Sequence, residues 1–452
     1  MTIDLSTLTA RQLQEESARV LAAGDGFDNG ELVKFNKLAN HDSHAWYRAV
    51  IAWYVNRYDG LPSVTGPGTA VKLLLQQPNV STVGSAQVYT YESIRSVHLE
   101  LTSKCNASCP MCARNKFGGP DNEFLPNTEL SLIDIKRIMS IDFVQQLDRL
   151  YLCGNYGDPI VANDTLEVLE WLRAVNPGIK LGVHTNASAK TAGWWAKLGK
   201  LLSKPGDYVK FGIDGLEDTN HIYRRGTHWR KIMDNAAAFI KAGGIAHWEY
   251  IVFKHNEHQV DTAQQLSEQM GFAQFRTKKT GRFFSNTRLE GTTQQQVLNR
   301  KGEVEYYIEK PNNPLYHNDS LTKEQALVDA FGNMQNYLDQ TCIKCKVAED
   351  KSLYISAEGL AFPCCWTANQ LYVWYWPYKK SEIWDLIDGD TANVSALVND
   401  LKSVIEGKYF KDIADSWNKP SVSTGKLRVC AKTCGTGFDQ FASQFESKAT
   451  AI

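Results

Sequence analysis

Between about residues 94 and 280, short β-rich runs alternate with longer stretches of helical period. The β-rich runs are SVHLELT (96–102), LDRLYLC (147–153), IKLGVHT (179–185), YVKFGID (208–214), HWEYIVF (247–253) and AQFRTKK (273–279). Helix formers with apolar residues at helical spacing fill 131–146, 165–175, 190–203, 228–242 and 257–271. Six such repeats predict an α/β fold with a parallel sheet and helices outside it. Six units are too few to close an eight-stranded barrel. A partial, TIM-like (β/α)6 barrel therefore fits the pattern better than a doubly wound sheet, although the repeat count alone leaves both open.

The flanks read differently. Residues 1–93 predict a mainly helical N-terminal extension. TARQLQEESARVLAA and HAWYRAVIAWYVNRY are its helices, and the Gly/Pro stretch DGLPSVTGPG breaks the chain after them. Residues 281–340 predict a polar, irregular connector with one helix, KEQALVDAFGNMQNYL. Residues 341–452 form a small cysteine-rich C-terminal unit that includes the aromatic run LYVWYWPY at 371–378.

Composition narrows the class. Apolar residues make up 43% and charged residues 22% of the chain, the balance of a soluble globular enzyme. A net charge of −1 gives no global pull toward nucleic acid or an anionic membrane. No apolar run approaches the roughly 18 residues of a membrane span, and MTIDLSTLTARQLQEES has neither the basic nor the apolar region of a secretory signal. A cytoplasmic, reducing location is the expectation. In that setting ten cysteines read as metal ligands or reactive thiols rather than disulfides. They cluster: Cys105, Cys109 and Cys112 in one loop, Cys153 alone, and Cys342, Cys345, Cys364, Cys365, Cys430 and Cys434 in the tail. Two metal sites are the simplest explanation.

The loop KCNASCPMCARN follows the first β-rich run, where active sites of β/α sheets lie. Three thiols are one short of a closed structural zinc site. Thiolates also suit iron–sulfur clusters, and a [4Fe–4S] cluster on three cysteines leaves one iron open. Cys153 reads as a small buried residue.

The C-x3-C-x2-C spacing after the first strand resembles the signature of the radical S-adenosylmethionine (SAM) superfamily. The resemblance implies a cluster on Cys105, Cys109 and Cys112, SAM on the open iron, reductive cleavage of SAM to a 5′-deoxyadenosyl radical, and hydrogen-atom abstraction from a substrate. Met111 stands where the family often has an aromatic residue. Further motifs follow in order. Tyr156, Gly157 and Asp158, in LYLCGNYGDP, loosely match the turn that holds the methionyl amine. Asn186 in VHTNAS is a candidate hydrogen-bond donor to SAM. FGIDGLEDTNHIYRRGTHW resembles a family stretch in which Asp214 and Arg225 become candidate SAM contacts, although Gly212 replaces a common Ser. Asn256, in VFKHNEHQ, is a candidate pocket residue.

In the tail, CKVAEDKSLYISAEGLAFPCCW and RVCAKTCGTG are similar to the SPASM and twitch extensions of radical SAM enzymes. LYISAEGLAF also reads as a hairpin from its own pattern. Two four-thiolate clusters would need more cysteines than the tail supplies. One auxiliary [4Fe–4S] cluster is expected, on Cys345, Cys364, Cys430 and Cys434, with Cys342 and Cys365 as substitutes; a zinc site remains the alternative for the tail.

The resemblance implies an enzyme that oxidatively modifies a ribosomally made peptide or protein, as RiPP maturases do, by a crosslink, a thioether or a backbone change. It also implies an external electron donor such as flavodoxin or ferredoxin, and leaves room for an accessory protein. Oxidation of a small metabolite is the alternative enzyme reading, and a non-catalytic zinc or scaffold protein is a third. The N-terminal helices and the aromatic run at 371–378 are candidates for a peptide groove, with plain core packing as their other reading.

Overall fold

All six β-rich runs form strands: β1 (Ser96–Leu99), β2 (Arg149–Leu152), β3 (Lys180–Thr185), β4 (Tyr208–Gly212), β5 (Ala246–Ile251) and β6 (Gln274–Lys278). Each pairs in parallel with the next. This computed structural model describes residues 88–283, 292–318, 320–436 and 450–451, so the helices expected N-terminal to residue 88 lie outside the described residues.

Alternation along the strands decides which face the helices cover. In β4 and β5, Val209, Phe211, Ala246, Trp248 and Tyr250 are buried, while Tyr208, Lys210, Gly212, His247, Glu249 and Ile251 are only partly covered. Side chains of a strand point alternately to opposite faces, so one face is apolar and the other polar. The apolar face packs beneath α1 (Leu132–Ile138), α2 (Ile141–Gln145), α3 (Thr165–Val175), α4 (Ala192–Leu201), α5 (Trp229–Lys241) and α6 (Val260–Met270). Trp195 of α4 and Phe239 of α5 meet Phe211 of β4 with ring centroids 5.4 and 5.7 Å apart. The stretch 131–146, expected as one helix, is two. Ser140 takes an extended conformation and caps α2 by accepting from Phe143 N, which a continuous helix does not permit.

Within 281–340, the described residues form more regular structure than their polar composition suggests. β7 (Gln294–Leu298) and β8 (Val304–Glu309) form an antiparallel hairpin, where an irregular connector was expected. It docks on the cysteine loop through Leu298 N donating to Phe117 O. Helices Ser320–Ala330 and Met334–Gln340 replace the single expected helix, the second capped by Asn333.

The tail hairpin is present: β9 (Ser352–Ile355) pairs antiparallel with β10 (Ala361–Phe362). Its other edge supplies a strand that the six-repeat reading lacks. β9 runs parallel to β1, giving the order β10-β9-β1-β2-β3-β4-β5-β6, and β11 (Thr450–Ala451) lies antiparallel on β6. The result is an open, mostly parallel α/β sheet of the partial TIM-like kind. Covering β1 with β9 satisfies a ladder that would otherwise face water. Among the described residues, no helix is long and apolar enough to cross a membrane.

Candidate active site and a second cysteine cavity

Cys105, Cys109 and Cys112 are half-buried in the loop beyond the carboxyl end of β1. The loop is tied from several sides. Ser108 N donates to Arg225 O at 2.9 Å, and Asn122 Nδ2 to Tyr372 O at 2.7 Å. Phe117 meets Trp374 edge-on at 5.2 Å, and Phe124 stacks on Tyr378 at 4.4 Å. Much of the aromatic run therefore packs on this loop, although Trp376 and Tyr378 are exposed, at 50% and 38%. Met111 is buried among Tyr223, Phe253 and Phe283.

Polar groups face two of the sulfurs. Asn186 Nδ2 lies 3.8 Å from Cys105 Sγ and donates to Asn106 Oδ1 at 2.9 Å. Arg224 lies 4.0 Å from Cys109 Sγ. Burial pushes the Cys109 thiol up to about 11, with Arg224 pulling the other way; burial, then Asp158, pushes Cys105 up as well. A cation and an amide beside sulfur suit thiolate ligands better than neutral thiols. Among the described residues, no three or more His, Cys, Asp or Glu side chains converge on a single-ion position. A multi-iron cluster spreads its thiolates further apart than one ion does.

The turn after β2 is held from below. Glu100 Oε1 accepts from Tyr156 N at 2.8 Å and from Gly157 N at 2.9 Å, while Tyr354 of β9 donates to Oε2 at 2.5 Å. A Cβ at Gly157 would collide with Thr102 O, so this close approach requires glycine. Asp158 is buried and braces β3, accepting from Asn186 N at 2.7 Å and from Ile160 N at 3.2 Å. Its carboxylate keeps further acceptor capacity.

At the end of β4 the guanidinium facing the cysteines belongs to Arg224. Its Nε donates to Asp214 Oδ2 at 2.5 Å, and Asp214, fully buried, also accepts from Ile251 N at 2.6 Å. A Cβ at Gly212 would strike this guanidinium, which explains the glycine there. Arg225, the arginine expected to contact SAM, instead binds Glu305 of β8 and Leu298 O, both at 2.5 Å, and so fastens the β7–β8 hairpin. Asn256 has its polar atoms occupied. It donates to Asp214 O and Ile251 O and accepts from Phe253 N, so it joins two strand ends.

The sheet face away from the helices carries a set the sequence reading passed over. His98, Tyr151, His184, Tyr208 and His247 form a continuous ring ladder with centroid spacings of 4.7 to 5.7 Å. Above it, Glu249 lies 3.3 Å from Lys210 Nζ and 3.5 Å from Lys278 Nζ. Burial alone would raise the Glu249 carboxyl; Lys278 and Lys210 overcome it and hold the group at about 2. Cys153, expected to be plainly buried, is half-buried beside these charges. Polar residues at every second strand position were the available signal.

In the tail, Cys345, Cys364, Cys430 and Cys434 line one narrow cavity. They come from three segments. Cys345 precedes helix α7 (Lys346–Glu349), Cys364 precedes α8 (Cys365–Ala368), and the other two lie on α10 (Arg428–Cys434), which follows α9 (Lys408–Ser416). A bridge between Ile343 and Gly435 joins the first segment to the last. Cys345 and Cys434 face each other, and their hydrogen bond favours a thiolate on Cys345. Donors face Cys364 too. Thr367 Oγ1 lies 3.6 Å from Cys364 Sγ, and backbone N–H groups 366 and 367 favour the Cys364 thiolate. Cys342 is exposed, and Cys365 turns toward Cys153 and Glu100.

Residues 99–266 match the family described as the radical SAM superfamily. The chain is similar to GTP 3′,8-cyclase of Staphylococcus epidermidis, at 20% identity over 289 residues that cover 61% of this chain and 80% of the relative. It is also similar to that of Staphylococcus carnosus, at 28% over 94 residues, covering 21% and 27%. Among solved structures, Streptococcus suis SuiB bound to S-adenosylmethionine is 15% identical, with 90% of this chain and 93% of that one covered and a TM-score of 0.40. Native anSMEcpe with bound AdoMet is 15% identical, with 78% and 92% covered and a TM-score of 0.43. Residues 99–266 of this chain are a radical SAM superfamily domain.

Proposed function

We propose that this chain is a radical SAM enzyme that reductively cleaves S-adenosylmethionine at the Cys105–Cys109–Cys112 loop and oxidatively modifies a ribosomally made peptide or protein. An auxiliary [4Fe–4S] cluster of the twitch type sits on Cys345, Cys364, Cys430 and Cys434. The observation that carries the oxidative reading is the tail cavity. Four thiols from three distant segments line it, and hydrogen-bond donors face the Cys345 and Cys364 sulfurs. That is the environment thiolate ligands need.

When bound, the loop cluster supplies the electron that breaks a carbon–sulfur bond of SAM. Around it, Glu100 fixes the turn of Tyr156 and Gly157, whose backbone would receive the methionyl amine, and Asp158 would accept from the same group. Asn186 holds the Cys105 side of the loop. Arg224, set by Asp214, offers a cation for the SAM carboxylate in the role expected of Arg225. Asn256 fixes the strand ends behind Asp214. Flavodoxin or ferredoxin serves as the external reductant.

An open cleft of about 550 Å³, lined by His221, Lys254, His255, Tyr306, Tyr307 and Glu309, runs between the β7–β8 hairpin and the loops after β4 and β5. It gives an extended substrate room at the barrel mouth. A second reading, conversion of a small anionic metabolite, is favoured by the convergent Lys210, Glu249 and Lys278 inside the barrel and by curated relatives named for GTP.

The test uses anaerobically reconstituted protein. About eight iron per chain, two four-iron clusters, is expected, together with 5′-deoxyadenosine formation from SAM and a reductant. A short peptide encoded beside the gene should raise that yield and change in mass; GTP doing so instead selects the second reading. Iron near four per chain sinks the auxiliary cluster, and the absence of 5′-deoxyadenosine sinks the whole proposal.

A further inference from the structure

The tail cavity takes one wall from outside the tail. Tyr89, seven residues ahead of β1, is 3% exposed, and its hydroxyl lies 3.3 Å from Cys345 Sγ. Its ring is fixed edge-on against Phe410 at 5.3 Å and Trp417 at 6.3 Å. Phe410 belongs to α9, which flanks the cavity. The hydroxyl therefore has little freedom to turn away from the sulfur.

The sulfur decides the direction of this bond. A thiolate has no proton to give, so the phenol must donate. An O–H donated to a ligating thiolate withdraws charge from it. Reduction adds negative charge to a cluster, so such a bond is stronger in the reduced state and moves the potential upward.

We propose that Tyr89 is a positioning residue for the tail site, whose hydroxyl sets the reduction potential of the cluster held by Cys345, Cys364, Cys430 and Cys434. The inference rests on the cluster assignment proposed above. It makes the lead-in to the barrel part of the electron-accepting site. Removing the donor leaves the ligand count intact and makes the cluster a poorer acceptor.

The experiment is an EPR-monitored redox titration of the reconstituted full chain, comparing the wild type with Tyr89→Phe and with a chain carrying 3,5-difluorotyrosine at position 89. Tyr89→Phe should lower the reduced-to-oxidised ratio of the second cluster about tenfold at fixed solution potential, about 59 mV for a one-electron couple. The fluorinated residue, a stronger donor of nearly the same shape, should shift it the opposite way; this second arm stands if Tyr89→Phe fails to fold. The loop cluster should keep its wild-type potential in both. Two clusters present with the second potential unmoved in either well-folded variant would overturn the role of Tyr89. A wild-type chain with only one cluster would instead remove the assignment on which it rests.

Discussion

The two cysteine sites are built on opposite plans. The first takes three thiols from eight consecutive residues of one loop, half-buried and faced by Arg224 and Asn186. The second takes four thiols from three segments, with Cys430 and Cys434 buried at 9% and 7% and an aromatic wall around them. A site with an unfilled protein position can accept an exogenous ligand, as open catalytic metal sites do; a site with its full thiolate set is closed. Under the proposed function, substrate chemistry would belong at the open site and electron handling at the closed one.

The contrast is tested most severely at the first loop. The triple change Cys105→Ala, Cys109→Ala and Cys112→Ala should abolish 5′-deoxyadenosine formation, read by chromatography, and remove about four iron per chain. Residual cleavage would show that the open site lies elsewhere. Cys430→Ala or Cys434→Ala should cut the iron content by about the same four atoms while sparing part of the SAM cleavage, and should stop product formation. Product at the wild-type rate would leave the closed site without a role in turnover.

Adjacent arginines refine the picture of the open site. Arg224→Met leaves Asp214 buried and unpaired and should cost about 3–5 kcal/mol of stability, measured by denaturant unfolding. It should also weaken SAM binding in a titration. Arg225→Met breaks a surface pair with Glu305 worth about 0–1 kcal/mol and should leave SAM affinity near wild type. Equal effects of the two changes would remove Arg224 from the site.

The smallest effect concerns the polar sheet face. His98 is buried and donates to Cys153 O, and burial lowers it to about 4. Its folded value lies below the unfolded one, so the unfolded chain binds the extra proton. Stability should fall as pH drops below about 6.5, by about 1.4 kcal/mol per pH unit at most, until the folded value is reached. His98→Gln should flatten that slope between pH 7.5 and 5.5 in thermal unfolding, leaving the part due to other histidines such as His184 and His255, which burial lowers to about 3 and about 4.

Much of the barrel and the first loop was legible from the chain because their determinants are local. β5 shows why: His247, Glu249 and Ile251 alternate with Ala246, Trp248 and Tyr250, and a two-residue period needs no tertiary information to read. The polar QQQVLNRKGEVEYYIE segment was passed over as a connector, because its hairpin is held partly by the cysteine loop through Phe117 O and Arg225.

Taken alone, the order of residues set the strand and helix succession, the three-thiol loop after β1, and the number of thiols available to the tail. Tertiary packing was needed to decide which of two neighbours faces a site: Arg224 rather than Arg225, Cys364 rather than Cys365. It also decided that β9 extends the barrel sheet and that Tyr89 meets Cys345. The physical reason is direction. Spacing along a chain fixes which residues are close together, but consecutive side chains leave the backbone at different angles. Which of them meets a cluster, a carboxylate or water is settled by the packing of segments as far apart as residues 89, 345 and 430.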